Sequence, residues 1–159
     1  MILDILTENT VEAGVDAADW EEAVRAAGEL LFRNGYAERR YIDSMVDVVK
    51  TIGPYIVLIK GVALAHARPE QGARAVGLTL ITLKTPVNFG SEDNDPVSLV
   101  FALSALDHSS HLELITEMGL LLDDGEAVKK LADCSEKKEL ITVIRDSITK
   151  KEVFNHVDP

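Results

Sequence analysis

VSLVFALSAL, residues 97–106, decides the fold: its apolar side chains follow one another almost without interruption, as expected where both faces of a strand are covered. A strand of that kind needs helices above and below the sheet it belongs to. Working outward, TPVNFGSEDNDPV, residues 85–97, reads as a turn-rich acidic loop, and GLTLITL, residues 77–83, as a second strand in which Leu and Thr alternate. YIVLI, residues 55–59, is a β-branched apolar run after the Gly53-Pro54 breaker and reads as a further buried strand.

The helices follow from the caps and the apolar spacing. Asp19 with Glu22 three residues on makes a capping box, and Ala23, Ala26, Ala27, Leu30 and Leu31 recur at helical spacing up to Asn34-Gly35. Trp20, beside that start, is expected to staple the helix to the core. A second helix over Glu38–Val49 puts Tyr41, Ile42, Met45, Val48 and Val49 on one face. After the long strand, Ser110 and Glu113 stand in capping-box spacing, with Ser110 as the cap and His111 as the first helical residue. Short helices follow near Glu126–Leu131 and Glu136–Ile144, and His156 reads as tail. Strands interleaved with helices predict a three-layer α/β domain around a largely buried sheet.

At 159 residues and 17.4 kDa, with no internal repeat and no linker-like shift in composition, the chain reads as one domain. Hydrophobic residues make up 47% and charged residues 27%, which excludes disorder and low complexity. No apolar run approaches the roughly 20 residues of a membrane helix. The first ten residues carry two acids and no base, so they do not read as a signal peptide, and a cytoplasmic protein is expected. Cys134 stands alone and has no cysteine partner for a disulfide, a zinc site or an iron–sulfur cluster. The formal charge of −11 makes nucleic acid and anionic membranes poor partners. Charge is uneven: residues 31–84 hold eight Lys/Arg against four Asp/Glu, and residues 85–126 hold nine Asp/Glu and no base. That acidic stretch is either a solvated rim or a surface that steers a basic partner.

His66 lies in GVALAHARPEQG, past a strand and before Pro69, where an α/β fold places its ligands. It is either functional or a partly buried histidine bonded to a loop carbonyl. Arg68 is an anion clamp or a solvated charge. His111, at a helix start, would be held neutral by the helix dipole, beside free N–H groups suited to an anion. His108 and His111 with Glu92, Asp93 and Asp95 would make a weak metal set, because EDNDP lacks the glycine and the later glutamate of a calcium loop. A turn in which Asp and Asn side chains satisfy their own backbone explains that segment better. With no GxSxG, no P-loop and no Gly-rich dinucleotide turn, histidine itself is left as a nucleophile toward a phosphoryl group.

GPYIVLIKGVALAHARPEQG resembles the active-site segment of the mannitol/fructose-type enzyme IIA domains of the bacterial phosphoenolpyruvate-dependent sugar phosphotransferase system. The resemblance extends through LLFRNGYAERRYIDSMVD upstream and LKTPVNFGSEDNDPVSLVFALSALDHSSHLELI downstream, roughly Trp20 to Ile144. The Gly-Pro-Tyr entry and the EDNDP loop look most like the ascorbate-type branch. It implies a single type-2 enzyme IIA domain over residues 1–159, with a mixed, about five-stranded sheet flanked by helices. It further implies that His66 takes a phosphoryl group from the carrier HPr and passes it to an enzyme IIB, while His111 supports that group; Arg68 and Ser110 are candidate supporting residues beside them. No cofactor or metal is implied, and a membrane enters only through the enzyme IIC permease. Val62, Leu64 and Ala65 would form the docking surface.

Two positions depart from the family pattern. Ala65 stands where proline usually precedes the phosphorylated histidine, which frees that φ, and Val48 stands where the mannitol branch carries a phosphate-clamping arginine. Arg68 is the candidate to replace it. The alternatives are a regulatory module whose His66 phosphorylation is read by a partner, and, last, a small metal-dependent hydrolase.

Overall fold

The computed structural model describes the backbone of residues 1–157 and the side chains of residues 1–151. In chain order the elements are α1 (Ile2–Ile5), β1 (Val11–Val15), α2 (Trp20–Arg33), α3 (Arg39–Ile52), β2 (Val57–Ile59), β3 (Val62–Ala65), a 3₁₀ turn (Pro69–Gln71), β4 (Gly77–Val87), β5 (Val97–Ser104), α4 (His108–Leu122), α5 (Gly125–Asp133) and α6 (Lys137–Val157). The strands form one sheet in the order β1-β4-β5-β3-β2. It is mixed: β1 runs parallel to β4 and β3 parallel to β5, while β4 with β5 and β2 with β3 are antiparallel.

β5 occupies the centre, and its side chains divide between two cores as its unbroken apolar run requires. Val100 and Ala102 pack under α2 and α3, while Leu99, Phe101 and Leu103 pack under α1, α4, α5 and α6. β3 divides the same way, Ala63 and Ala65 to the first face and Val62 and Leu64 to the second. The expected three-layer architecture is therefore realised. On the first face small residues allow close approach: the Thr79 hydroxyl of β4 donates to the Ala27 carbonyl of α2 at 2.9 Å, and between α2 and α3 a Cβ on Gly28 would lie 2.8 Å from Met45 Cε.

The caps work largely as read. The Asp19 carboxylate accepts the Glu22 N–H at 2.9 Å, and the Trp20 ring stands 6.3 Å from Phe89, fastening α2 to the core edge. In the acidic loop, the Asp95 carboxylate accepts the N–H groups of Phe89 and Gly90 at 2.9 and 2.8 Å, the self-satisfying turn expected there.

Several boundaries differ from the reading. YIVLI is not a buried strand: only Val57–Ile59 pair, at the sheet edge, and Tyr55 is 78% exposed. The burial expected of that run belongs instead to β3, which begins three residues after it. β1 and α1 had no reading. β4 continues past Leu83 to Val87, and α6 continues past Ile144 through the position of His156, whose side chain lies outside the described ones. No helix among the described residues is long and apolar enough to cross a membrane.

Candidate functional site

Because β3 and β5 are parallel, with Ala65 paired to Ala102, both chains leave the sheet at the same edge. β3 delivers His66 there, and β5 passes through Ala105 and Leu106 into α4, which carries His108 and His111. Between them opens a cleft of about 420 Å³ lined by His66, Arg68, Asp107, His108 and His111, with Val48 and Ile52 of α3 among its apolar residues. This is the carboxyl edge of a parallel strand pair, where an open α/β sheet leaves a crevice.

The rings of His66 and His111 stand 6.1 Å apart at 59°. His66 Nδ1 lies 3.2 Å from the Leu64 carbonyl oxygen. A carbonyl only accepts, so Nδ1 is the donor in this bond, and in the neutral ring Nε2 is then the nitrogen whose lone pair is free for a nucleophilic role. The carbonyl bond expected of a partly buried histidine is present, made to a strand carbonyl instead of a loop one. His111 is held below the ordinary histidine value, first by burial and then by the neighbouring imidazoles of His66 and His108.

That cause differs from the one expected, because α4 starts earlier than its capping-box spacing suggests. Asp107 is the cap, its carboxylate accepting the Ser110 N–H at 2.8 Å and the Ser110 hydroxyl at 2.8 Å. The helix begins at His108, and His111 is its fourth residue. A carboxylate is a stronger acceptor for helix-terminal amides than a serine hydroxyl, so it takes the position. Two corrections follow. Ser110 is fastened to Asp107 instead of capping the helix, and of the N–H groups expected to be open to an anion, that of Ser110 is engaged by a carboxylate. These bonds hold Asp107 below the usual carboxylate range, so a negative charge lines the cleft.

Arg68 is exposed, lines the cleft, and makes no ion pair among the described residues. Its backbone N–H is held by Gln71 Oε1 at 3.0 Å. Val48 also lines the cleft, so the position of the absent second-helix arginine does face the site.

The metal set is not assembled. EDNDP leads into the start of β5, whereas His108 and His111 lie beyond its end; eight residues at roughly 3.3 Å each put about 25 Å between them. Among the described residues no group of three or more His, Cys, Asp or Glu is placed to hold a metal ion. The docking surface is also corrected: Val62, Leu64 and Ala65 are at most 1% exposed, consumed by the two cores. The large apolar side chains exposed beside the cleft are Ile52, Leu106 and Leu112.

One residue that shapes this edge had been read only as core. Tyr41 is wholly buried, but its hydroxyl donates to the Leu103 carbonyl at 2.7 Å and accepts the Ala67 N–H at 3.0 Å, with the Ala67 carbonyl 3.2 Å away. A tyrosine on an apolar helix face, where phenylalanine would serve packing alone, was the available signal.

Comparison with known proteins points to one family. The model for "Phosphoenolpyruvate-dependent sugar phosphotransferase system, EIIA 2" matches residues 4–147. The ascorbate-specific EIIA component of Escherichia coli (strain K12) is 36% identical over 143 residues, spanning 89% of this chain and 93% of that protein. Among solved structures, the mannitol-specific cryptic enzyme IIA CmtB of Escherichia coli superposes with a TM-score of 0.82 at 35% identity, covering 91% of this chain and 98% of that one. The complex of enzyme IIA-mannitol with phosphorylated enzyme IIB-mannitol of Escherichia coli gives 0.79 at 29% identity, covering 89% and 97%.

Proposed function

The chain belongs to the phosphoenolpyruvate-dependent sugar phosphotransferase system EIIA 2 family, and on that premise we propose that His66 accepts a phosphoryl group from phospho-HPr and hands it to an enzyme IIB. The observation that carries this reading is the pairing of His66, its Nδ1 donating to the Leu64 carbonyl, with a half-buried His111 whose ring centre lies 6.1 Å away. His66 Nε2 attacks phosphorus, the bond to the carrier breaks with its electron pair leaving on the carrier, and a P–N bond forms on His66. Nδ1–H stays on the carbonyl throughout, so the ring holds its orientation. Transfer onward is the same step reversed toward enzyme IIB. We read residues 1–159 as one such domain acting on the cytoplasmic side, with the membrane reached only through enzyme IIC. Ascorbate is the transported substrate that the relatives' names favour.

With Asp107 occupying the helix start, the donors for the phosphoryl oxygens are the neutral His111 ring and Arg68. The Asp107 charge opposes them, which keeps a group that must leave again from being held too tightly. Arg68→Ala should therefore slow transfer at saturating phospho-HPr by severalfold, about 1 kcal/mol or more of lost stabilisation. Ile52→Asp, on the exposed apolar rim, should instead raise the KM for the carrier with little change in kcat. Stopped-flow transfer from phospho-HPr reads both, and an unchanged rate for Arg68→Ala would remove the clamp from the account.

The function is tested by discharge. Phosphorylated protein mixed with unphosphorylated ascorbate-type enzyme IIB should lose its phosphoryl group to that partner within a catalytic timescale. A protein that is charged by HPr and discharged by no enzyme IIB would be a regulatory module, its His66 phosphate read by some other target.

A further inference from the structure

Two strand exits must be held at a fixed distance for the cleft to work; the strands themselves pair as far as Ala65 and Ala102, and beyond that pairing one hydroxyl joins the two chains. Ala67 follows His66 directly, and Leu103 lies four residues before Asp107, the cap of the helix that carries His111. The Tyr41 hydroxyl takes the N–H of the first and gives its proton to the carbonyl of the second. It does so from inside the first core, reaching from α3 past the end of β3.

Burying a phenol oxygen is costly unless its hydrogen bonds are made, whereas a phenyl ring at the same place would pack as well at no polar cost. A core that only needed filling has no use for this oxygen. Burial also pushes the phenol up to about 12, so its proton stays in place across the ordinary pH range and the donation to Leu103 is permanent. Little else restrains the chain after His66 up to the 3₁₀ turn: the Arg68 N–H bond to Gln71 Oε1 lies within that turn itself.

We propose that Tyr41 is a positioning residue for phosphoryl transfer, its hydroxyl bridging Ala67 and Leu103 so as to set the separation of His66 from His111. It touches no reacting atom and acts through the backbone on either side of the cleft. The expected signature is on the rate of transfer within the encounter complex and not on the affinity for the carrier, since the exposed apolar rim is untouched. This inference rests on His66 as the acceptor, so its test includes a readout that needs no phosphoryl transfer.

Tyr41→Phe removes one oxygen and keeps the ring. Val46→Ala, at an equally buried position of the same helix, serves as the matched control. Each should lower Tm by a few degrees. Only Tyr41→Phe should lower kcat for acceptance from phospho-HPr, by about tenfold, with KM unchanged. In the unphosphorylated protein, with no partner present, the NOE between the His66 and His111 ring protons should be present in the wild type and in Val46→Ala, and weakened or lost in Tyr41→Phe. A Tyr41→Phe protein with wild-type kcat and an intact NOE overturns the proposal, as does Val46→Ala producing the same loss of rate. Should the wild type accept no phosphoryl group at all, the functional reading fails, while the NOE comparison still decides whether Tyr41 sets the spacing of the two rings.

Discussion

Replacement of His66 by alanine is expected to abolish phosphoryl acceptance entirely while leaving the fold intact. The ring is only partly buried, and the one hydrogen bond it makes among the described residues runs to the carbonyl of Leu64, whose strand is held by its own pairing with β5. Its loss should therefore cost under about 1 kcal/mol of stability, within the usual range for surface positions. Catalytically nothing replaces it. His111 is the nearest second imidazole, but its ring centre lies 6.1 Å away on the opposite wall, so a carrier docked for attack by His66 presents phosphorus to the wrong nitrogen. Incubation with phosphoenolpyruvate, enzyme I and HPr should give no mass gain in His66→Ala, with far-UV circular dichroism and Tm close to wild type. Retained phosphorylation, mapped to His111 or His108, would reassign the nucleophile.

The second large effect is on stability. Phe101→Ala should cost about 3–5 kcal/mol, the range for truncating a buried aromatic, and lower Tm by roughly 10 °C for a chain of this size. Phe101 is fully buried at the middle of the central strand, paired with Leu80 on one side and Leu64 on the other. Its side chain fills the core beneath α1, α4, α5 and α6. The strand itself cannot shift into the space, since sheet hydrogen bonds fix it on both flanks. Measured against a typical total of 5–15 kcal/mol, that loss is a large fraction of the stability. It should also disturb the site, because β5 leads directly into α4 and positions His111. Chemical denaturation gives the number, and a cost below about 1 kcal/mol would mean that the second helical layer does not rest on the sheet as described.

The elements that declared themselves were those with a single physical cause. β5 was legible because burial on both faces leaves no polar position in a strand, and α2 because its cap, its periodicity and its Asn34-Gly35 end agree. His66 was legible as a candidate site residue because a strand end meets a proline-marked turn there. β1 was hidden, since Glu12 and Gly14 break any apolar pattern in VEAGV, and an edge strand paired on one side tolerates both. The burial read into YIVLI belongs to β3: the bulky YIVLI run sits at an exposed edge, while VALA lies inside the sheet with Ala63 and Ala65 in one core and Val62 and Leu64 in the other. Side-chain size marks hydrophobicity, not position in a sheet. The start of α4 was misplaced because Asp107 and Ser110 are both good caps, and only their competition in three dimensions selects the carboxylate. That small error had a chemical consequence, for it moved the source of the neutral His111 from a helix dipole to burial.

The central claim is that one imidazole of this chain, His66, carries a phosphoryl group between two proteins, and intact-mass spectrometry tests it most directly. The wild-type protein, incubated with phosphoenolpyruvate, enzyme I and HPr, should gain one phosphoryl group that brief acid treatment removes, as expected of a P–N bond, and that His66→Ala never acquires. No gain in the wild type, with enzyme I and HPr shown to be active, or an acid-stable gain that persists in His66→Ala, would contradict it.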